Sequence, residues 1–289
     1  MAEIRYTPLL DRAVVAVAGA DARSFLQGLV TNDVDLVAPD RAIYAALLTP
    51  QGRYLFDFFI VEIAGVLHLD CEAARRDELI KRLTMYKLRA KVTLAPADLA
   101  IFAAFGEGAA AAFGVVQEPG YGRAFAGGIA YVDPRNAGAG VRIIAPADSA
   151  VAELKSIGIG RAEHASYDSM RIKLGLPESG RDMVAEKGLL LEFGFEALNG
   201  VDFEKGCYVG QEVTTRMKRR DLVKKQLMPV SITGAPPEPG TKILHGDVEA
   251  GELRSSKDGV GLAMLRLDMI KGADGLTAGT ARIVPRREA

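Results

Sequence analysis

The residues best suited to chemistry lie in one stretch, Glu204-Lys205-Gly206-Cys207-Tyr208-Val209-Gly210-Gln211-Glu212. One of only two cysteines sits there between two glycines, beside an aromatic ring and a lysine. A core strand has no use for that mixture. A thiol becomes reactive when nearby cations, a helix N-terminus or a metal favour its anion. Lys205 is two residues away, and Gly210-Gln211-Glu212 can open a helix that continues through Val213, Arg216 and Met217. Cys207 therefore has two readings, a reactive thiol or a small buried side chain that packs a loop. Gly206 and Gly210 mark tight turns or close approach by another group. A Cys–His nucleophile pair needs a base, and His68, His164 and His245 are scattered along the chain. A single cysteine can supply one ligand to a shared cluster but cannot hold one alone.

Two carboxylates and a basic run complete the candidate chemistry. Alternation over Arg53 to Glu62 puts Leu55, Asp57, Phe59 and Val61 on one strand face and Tyr54, Phe56, Phe58 and Ile60 on the other. Asp57 is then a lone carboxylate among large apolar neighbours. Burying it unpaired is costly, so it needs either a functional partner or backbone N–H groups to cap. Glu192, after Leu189-Leu190-Leu191, is a second candidate for a partly buried carboxylate. Arg216, Lys218, Arg219, Arg220, Lys224 and Lys225 form a solvated charged face, or a site for a polyanionic ligand tail or an acidic protein. No aromatics are interleaved between 209 and 228, so nucleic acid is the weaker reading.

Composition narrows the class. With 49% hydrophobic residues over 289, there is material for a large core and about two domains. A net charge of −1 gives no global field toward nucleic acid or membrane, so an anion site must be local. Cys71 and Cys207 lie in no CxxC or Cys/His spacing, so neither a disulfide framework nor a metal site is expected. The N-terminus does not read as a signal peptide, and no run of about 18 apolar residues occurs. A cytoplasmic protein without membrane contact is the expectation.

The elements that must position these groups read as α+β with antiparallel sheets. Strands are expected at Ala13 to Ala18, Ala42 to Leu48, Arg53 to Glu62, Val66 to Cys71 and Lys91 to Leu94. A helix capped by Asp21 is expected to end near Thr31-Asn32-Asp33, and another to span Ala73 to Arg89. Thr49-Pro50-Gln51-Gly52 has hairpin-turn chemistry. Cys71 aligns with Leu67 and Leu69 as a core residue, with His68 and Asp70 on the other face. The Ala-rich stretch Ala109 to Val116 reads as a helix between strands. Asp148 is expected to cap a short helix stopped by Gly158, and His164 to Gly175 to form another. No GxGxxG follows a strand and no Walker loop occurs. After Lys225, short strands at Gln226–Ile232, Lys242–Leu244, Gly251–Arg254, Gly259–Leu265 and Thr280–Val284 read as a small closed β-barrel or sandwich. The domains are then 1–222 and 223–289.

Lys205-Gly206-Cys207-Tyr208-Val209-Gly210-Gln211-Glu212 resembles the K-G-C-Y-x-G-Q-E signature of the YgfZ-type folate-binding proteins, which help mature iron–sulfur enzymes. Phe25-Leu26-Gln27-Gly28-Leu29-Val30-Thr31-Asn32-Asp33, Leu48-Thr49-Pro50-Gln51-Gly52-Arg53, Tyr86-Lys87-Leu88-Arg89-Ala90-Lys91-Val92 and Leu198-Asn199-Gly200-Val201-Asp202-Phe203 resemble further segments of that family. The resemblance spans most of residues 20–220. It implies an aminomethyltransferase-like fold, with ferredoxin-like modules around a central folate channel and a C-terminal antiparallel β-barrel. Asp57 sits at or near the position of a carboxylate that assists one-carbon transfer in the aminomethyltransferase. That enzyme's R-x-E-x-G segment reads here Arg171-Ile172-Lys173-Leu174-Gly175, so Lys173 replaces the glutamate that holds the pterin.

The resemblance thus implies a tetrahydrofolate-binding accessory factor for iron–sulfur cluster assembly or repair, with tetrahydrofolate or a one-carbon derivative as cofactor. Its partners are iron–sulfur carrier or client proteins. Asp57 and Glu192 would face the pterin, and Tyr86 and Arg89 would line the channel. Lys205, Tyr208, Gln211 and Arg216 belong to the same binding surface, with Lys205 tuning Cys207. Cys207 would be redox-active or cluster-proximal. The alternatives are a folate-dependent aminomethyl or methyl transferase using Asp57 and, more weakly, a tRNA-modification factor.

Overall fold

The computed structural model describes residues 3–270 and 275–286. A five-stranded antiparallel sheet runs in the order Ile43–Leu48, Tyr54–Ile63, Val66–Glu72, Arg12–Ala18, Thr93–Ala97. A six-stranded sheet runs Gly160–Arg161, Arg5–Pro8, Ala100–Phe105, Val141–Ala145, Gly128–Val132, Gly122–Phe125. Lys225–Thr233, Val260–Arg266, Val248–Lys257, Lys242–His245, Leu276–Ala278 and Ala281–Pro285 close a separate antiparallel barrel. Leu276–Ala278 is too short to have been legible, yet it links the two strands that flank it and closes the ring.

The strand Tyr54–Ile63 is buried on both faces. Leu55, Phe56, Phe58 and Ile60 join the core under the helix Arg76–Lys87, whose Leu79 and Leu83 face them. Tyr54, Phe59 and Val61 join the core between the two sheets. Strict alternation puts Tyr54 opposite Asp57. A bulge corrects this: Leu47 pairs with Phe56 but Leu48 pairs with Tyr54, so Leu55 is the extra residue. One inserted residue reverses the facing of everything beyond it. Tyr54 is thereby turned to Asp57's side.

Several helix boundaries shift for local reasons. The first helix is only Ala22–Gln27, because Val30 leaves to bridge Leu47 and Thr31 Oγ1 accepts the Ala46 N–H. The Asp21 carboxylate caps no helix and instead accepts the Lys91 N–H at 2.7 Å. The expected helix at 73–89 starts at Arg76 after a 3-10 turn, and Leu88 ends it at φ 44°. The strand expected from Lys91 begins at Thr93. The Ala-rich helix is a single turn, Ala109–Ala112. Asp148 lies in the first turn of Ala147–Ser156, and Pro146 holds the N-cap position.

Buried ion pairs join the two sheets alongside this apolar core. Asp70, fully buried, accepts from Arg12 Nε at 2.7 Å within its own sheet and from Arg142 Nη2 at 2.5 Å in the other. Asp133 binds Arg135 through both oxygens. The Arg142 guanidinium lies 4.0 Å and that of Arg135 4.9 Å from the Phe59 ring centre. Burial alone would raise both carboxyls, but the arginines outweigh it and hold Asp70 and Asp133 below the usual carboxylate range. Their stabilisation is complete above the ordinary value of 3.8 and is lost as pH falls toward the folded values. We expect urea-unfolding free energy to be flat near neutrality and to fall steeply in acid. Asp70→Asn should cost about 3–5 kcal/mol at neutral pH, because it leaves two buried guanidiniums short of charge, and should flatten the acid slope.

Candidate functional site

The signature loop rests on two earlier segments. Lys205 Nζ reaches into the turn after the first helix and donates to Gln27 Oε1 (3.1 Å), Val30 O (2.8 Å) and Asn32 O (2.6 Å). An ammonium has three donors, and all three are used. Lys205 is therefore a structural pin and is not free to donate to Cys207. Burial lowers its pKa to about 8, against the opposing pull of Asp33, Asp202 and Asp35. The hairpin turn packs against the helix start. A Cβ on Gly210, at φ +82°, would lie 2.5 Å from Thr49 O, and one on Gly52 would lie 2.7 Å from Val213 Cβ. Gly210 thus meets the expectation of close approach. Gly206 does not: its φ is not positive and nothing lies within 4 Å of a Cβ placed there.

Gly210 N-caps the helix Gln211–Arg220, which buries Thr214 and Met217 and exposes Arg216, Lys218, Arg219 and Arg220. Gln211 Oε1 accepts the Tyr208 N–H at 3.2 Å, and the Tyr208 ring is buried in the inter-sheet core. Cys207 itself is exposed, so the reading of a buried loop cysteine does not hold. It opens on a cleft of about 600 Å³ lined by Gln211, Glu212, Thr215, Arg216, Arg219 and Arg220. No histidine lines it. Three guanidiniums and a thiol in one open cleft attract an anionic group and offer it one sulfur ligand.

Asp57 is arranged in the opposite way. It is buried, and it accepts from Tyr44 Oη at 2.9 Å, Tyr54 Oη at 2.5 Å and Ser179 Oγ. Its partners are hydroxyls, not backbone N–H groups. Burial, and then the Asp57 charge, raise both phenols well above their usual range, which keeps them protonated as donors. The void beside Asp57 holds about 10 Å³, room for roughly one water. Asp57 therefore faces no space large enough for a pterin.

The larger space lies between the body and the barrel, a cleft of about 790 Å³. Phe193, Leu198, Leu227 and Met228 supply its apolar wall, and Arg135, Asn136 and Arg286 its polar groups. Arg135 lines this cleft and also the Asp57 void, so it stands between them. Sequence reasoning missed Arg135, Arg286, Tyr44 and Ser179, which carry no local motif. The other expected residues sit apart. Glu192 Oε2 accepts the Leu189 N–H at 2.9 Å, with Lys225 Nζ at 3.7 Å, and caps a 3-10 turn. Tyr86 packs half-buried on the outer core, and Arg89 is exposed. Lys173 is exposed and lines neither space, although Leu174 and Gly175 line the larger one.

The two-sheet body and the closed barrel together define an aminomethyltransferase-like fold, with the central space beside Asp57 filled. The solved structure of the glycine cleavage system aminomethyltransferase T from Bartonella henselae superposes with a TM-score of 0.81 over 99% of this chain and 86% of its own, at 16% identity. Residues 224–289 match the CAF17 C-terminal β-barrel domain. Among named relatives, the mitochondrial iron–sulfur cluster assembly factor IBA57 of Homo sapiens is 34% identical, covering 90% of this chain and 77% of its own length. The Mus musculus protein of that name is 33% identical over the same shares. The chain belongs to the IBA57 family of iron–sulfur cluster assembly factors, the YgfZ-type family.

The pin has a measurable consequence. Lys205→Ala takes the ammonium donor from Val30 O and Asn32 O and one of the two donors from Gln27 Oε1, which should cost about 1–3 kcal/mol in urea unfolding. Hydrogen exchange at residues 204–210 should quicken with it. Unchanged exchange there would show that the loop holds its place without the lysine.

Proposed function

We propose that this protein is an accessory factor for the assembly or repair of iron–sulfur clusters in client enzymes, presenting Cys207 to an iron–sulfur carrier or client protein. The observation that carries this reading is a contrast. The thiol is exposed on a pinned loop in an arginine-lined cleft, while the carboxylate a transferase would use is sealed among three hydroxyls. The relatives are named iron–sulfur cluster assembly factors. Two free thiols suit a reducing compartment, the cytoplasm in our reading, while the relatives are named mitochondrial. Among the described residues no helix is long and apolar enough to cross a membrane.

Tetrahydrofolate, or a one-carbon derivative, is the small molecule we assign to the 790 Å³ cleft. Its volume lies within the usual range for ligand sites. Its apolar wall suits the flat pterin and benzoyl rings, and Arg135 and Arg286 suit the acidic tail. In this placement the pterin stays on the far side of Arg135 from Asp57, so binding needs no transfer chemistry.

In cells lacking the protein, the Cys207→Ala form should leave cluster-dependent enzyme activities several-fold below those restored by the wild type. Full restoration would remove Cys207 from the role. Calorimetric titration should show saturable tetrahydrofolate binding. Ala197→Trp, an exposed residue on the cleft wall, should weaken it by at least about tenfold by filling the space. An assay with an aminomethyl donor should show no turnover. Turnover abolished by Asp57→Ala would instead establish the transferase, and salt-dependent RNA binding lost on neutralising Arg219 and Arg220 would establish an RNA factor.

A further inference from the structure

Away from both clefts, three segments bring metal-binding side chains together. Asp11 lies in the turn between the strands Arg5–Pro8 and Arg12–Ala18. His164 begins the helix His164–Lys173, and Glu178 follows the exit of that helix. One ligand atom from each, a nitrogen and two carboxylate oxygens, lies within 4.8 Å of the other two. His164 Nε2 is shielded from solvent and has no hydrogen-bond partner. A shielded ring nitrogen without a partner is costly unless something binds there. A cation held there by the two carboxylates would give that nitrogen its partner.

The neighbours fix the ligands and set the charge. The His164 ring packs at 5.9 Å on Tyr167. The Ala73 N–H donates to Asp11 O at 2.8 Å, and the Glu178 N–H to Asp182 Oδ2 at 2.9 Å. Arg181 Nη1 holds Glu178 Oε2 at 2.7 Å, and Arg171 Nη2 stands 3.4 Å from the same oxygen. Both arginines also pair with Asp168, and Arg171 pairs with Asp182. Asp168, Glu178 and Asp182 thus surround the two guanidiniums, and Asp11 adds a further carboxylate beside Glu178, negative charge that a dication would offset. Asp11 and His164 also line an open depression of about 510 Å³, which provides entry.

We propose that Asp11, His164 and Glu178 bind one divalent transition-metal ion, a site separate from Cys207. One imidazole nitrogen with two carboxylate oxygens suits Zn²⁺, Mn²⁺ or Fe²⁺ and is a poor match for soft Cu⁺. Three protein ligands leave at least one coordination position to water. Sequence spacing could not show this, since the ligands are spread over positions 11, 164 and 178.

The test is to titrate the full-length protein with Co²⁺, read by its visible d–d absorption, and to displace it with Zn²⁺. One equivalent should bind. Asp11→Asn and His164→Gln should each weaken it by at least about tenfold, while Cys207→Ala leaves it unchanged. Asp11 is exposed, so its isosteric replacement tests ligation without disturbing the core. Near-ultraviolet circular dichroism checks the fold of the His164 variant. No saturable binding, binding that survives Asp11→Asn undiminished, or binding lost in Cys207→Ala would each overturn the site.

Discussion

Asp70 is the group on which the arrangement of the body depends. It is a fully buried carboxylate held by one arginine from its own sheet and one from the other. Removing charge from water costs several kcal/mol per ion, so such a group is tolerable only when its partners are held in position. The sheets supply that. Arg12 stands on the neighbouring strand, and Arg142 comes from the facing sheet. Their separation is therefore set by ion-pair distances as well as by apolar contact. Phe59 fills the remaining space, with the Arg12, Arg135 and Arg142 guanidiniums around its ring. A cation over an aromatic face gains about 0.5–2 kcal/mol when desolvated. The result is a polar yet filled centre, with only about 10 Å³ left beside Asp57.

A second constraint builds the outer surface. The Lys205 ammonium fastens the loop to the turn after the first helix. Gly52 and Gly210 let the hairpin and the helix start meet at main-chain distance. Thr31 continues the same joint, with its hydroxyl donating to Gly200 O and accepting from the Ala46 N–H. Three segments far apart in sequence become one platform. The platform fixes Cys207's backbone while its side chain stays open, an arrangement suited to a thiol that meets a partner.

Legibility in the sequence followed the range of the interactions. The helix from Gln211, the close approach at Gly210 and the core role of Cys71 follow from local types and spacing, and the structure shows all three. The burial of Asp57 was readable from its neighbours, but its partners were not. Tyr54 lies on the face opposite to the one alternation predicts, because one bulged residue, Leu55, breaks the period. Ser179 lies 122 positions from Asp57, and Arg142 lies 72 from Asp70. No periodicity encodes such pairs. Lys205 is legible as a cation beside a thiol, but its N–H groups donate to Gln27 Oε1 and to the carbonyls of Val30 and Asn32.

The two candidate centres also differ in what they can exchange with solvent. Asp57 holds three hydroxyl donors, and Tyr44 and Tyr54 are themselves buried with raised phenol pKa values. A carboxylate saturated in this way orders its surroundings, and using it as a base would mean breaking a network sealed from water. Cys207 makes no such demand, because its cleft is open and its neighbours are exposed guanidiniums on one helix face. The aminomethyltransferase-like fold therefore serves two ends in this chain. Its centre is filled by buried ion pairs and hydroxyl–carboxylate bonds, and the loop pinned on that frame leaves the Cys207 sulfur exposed.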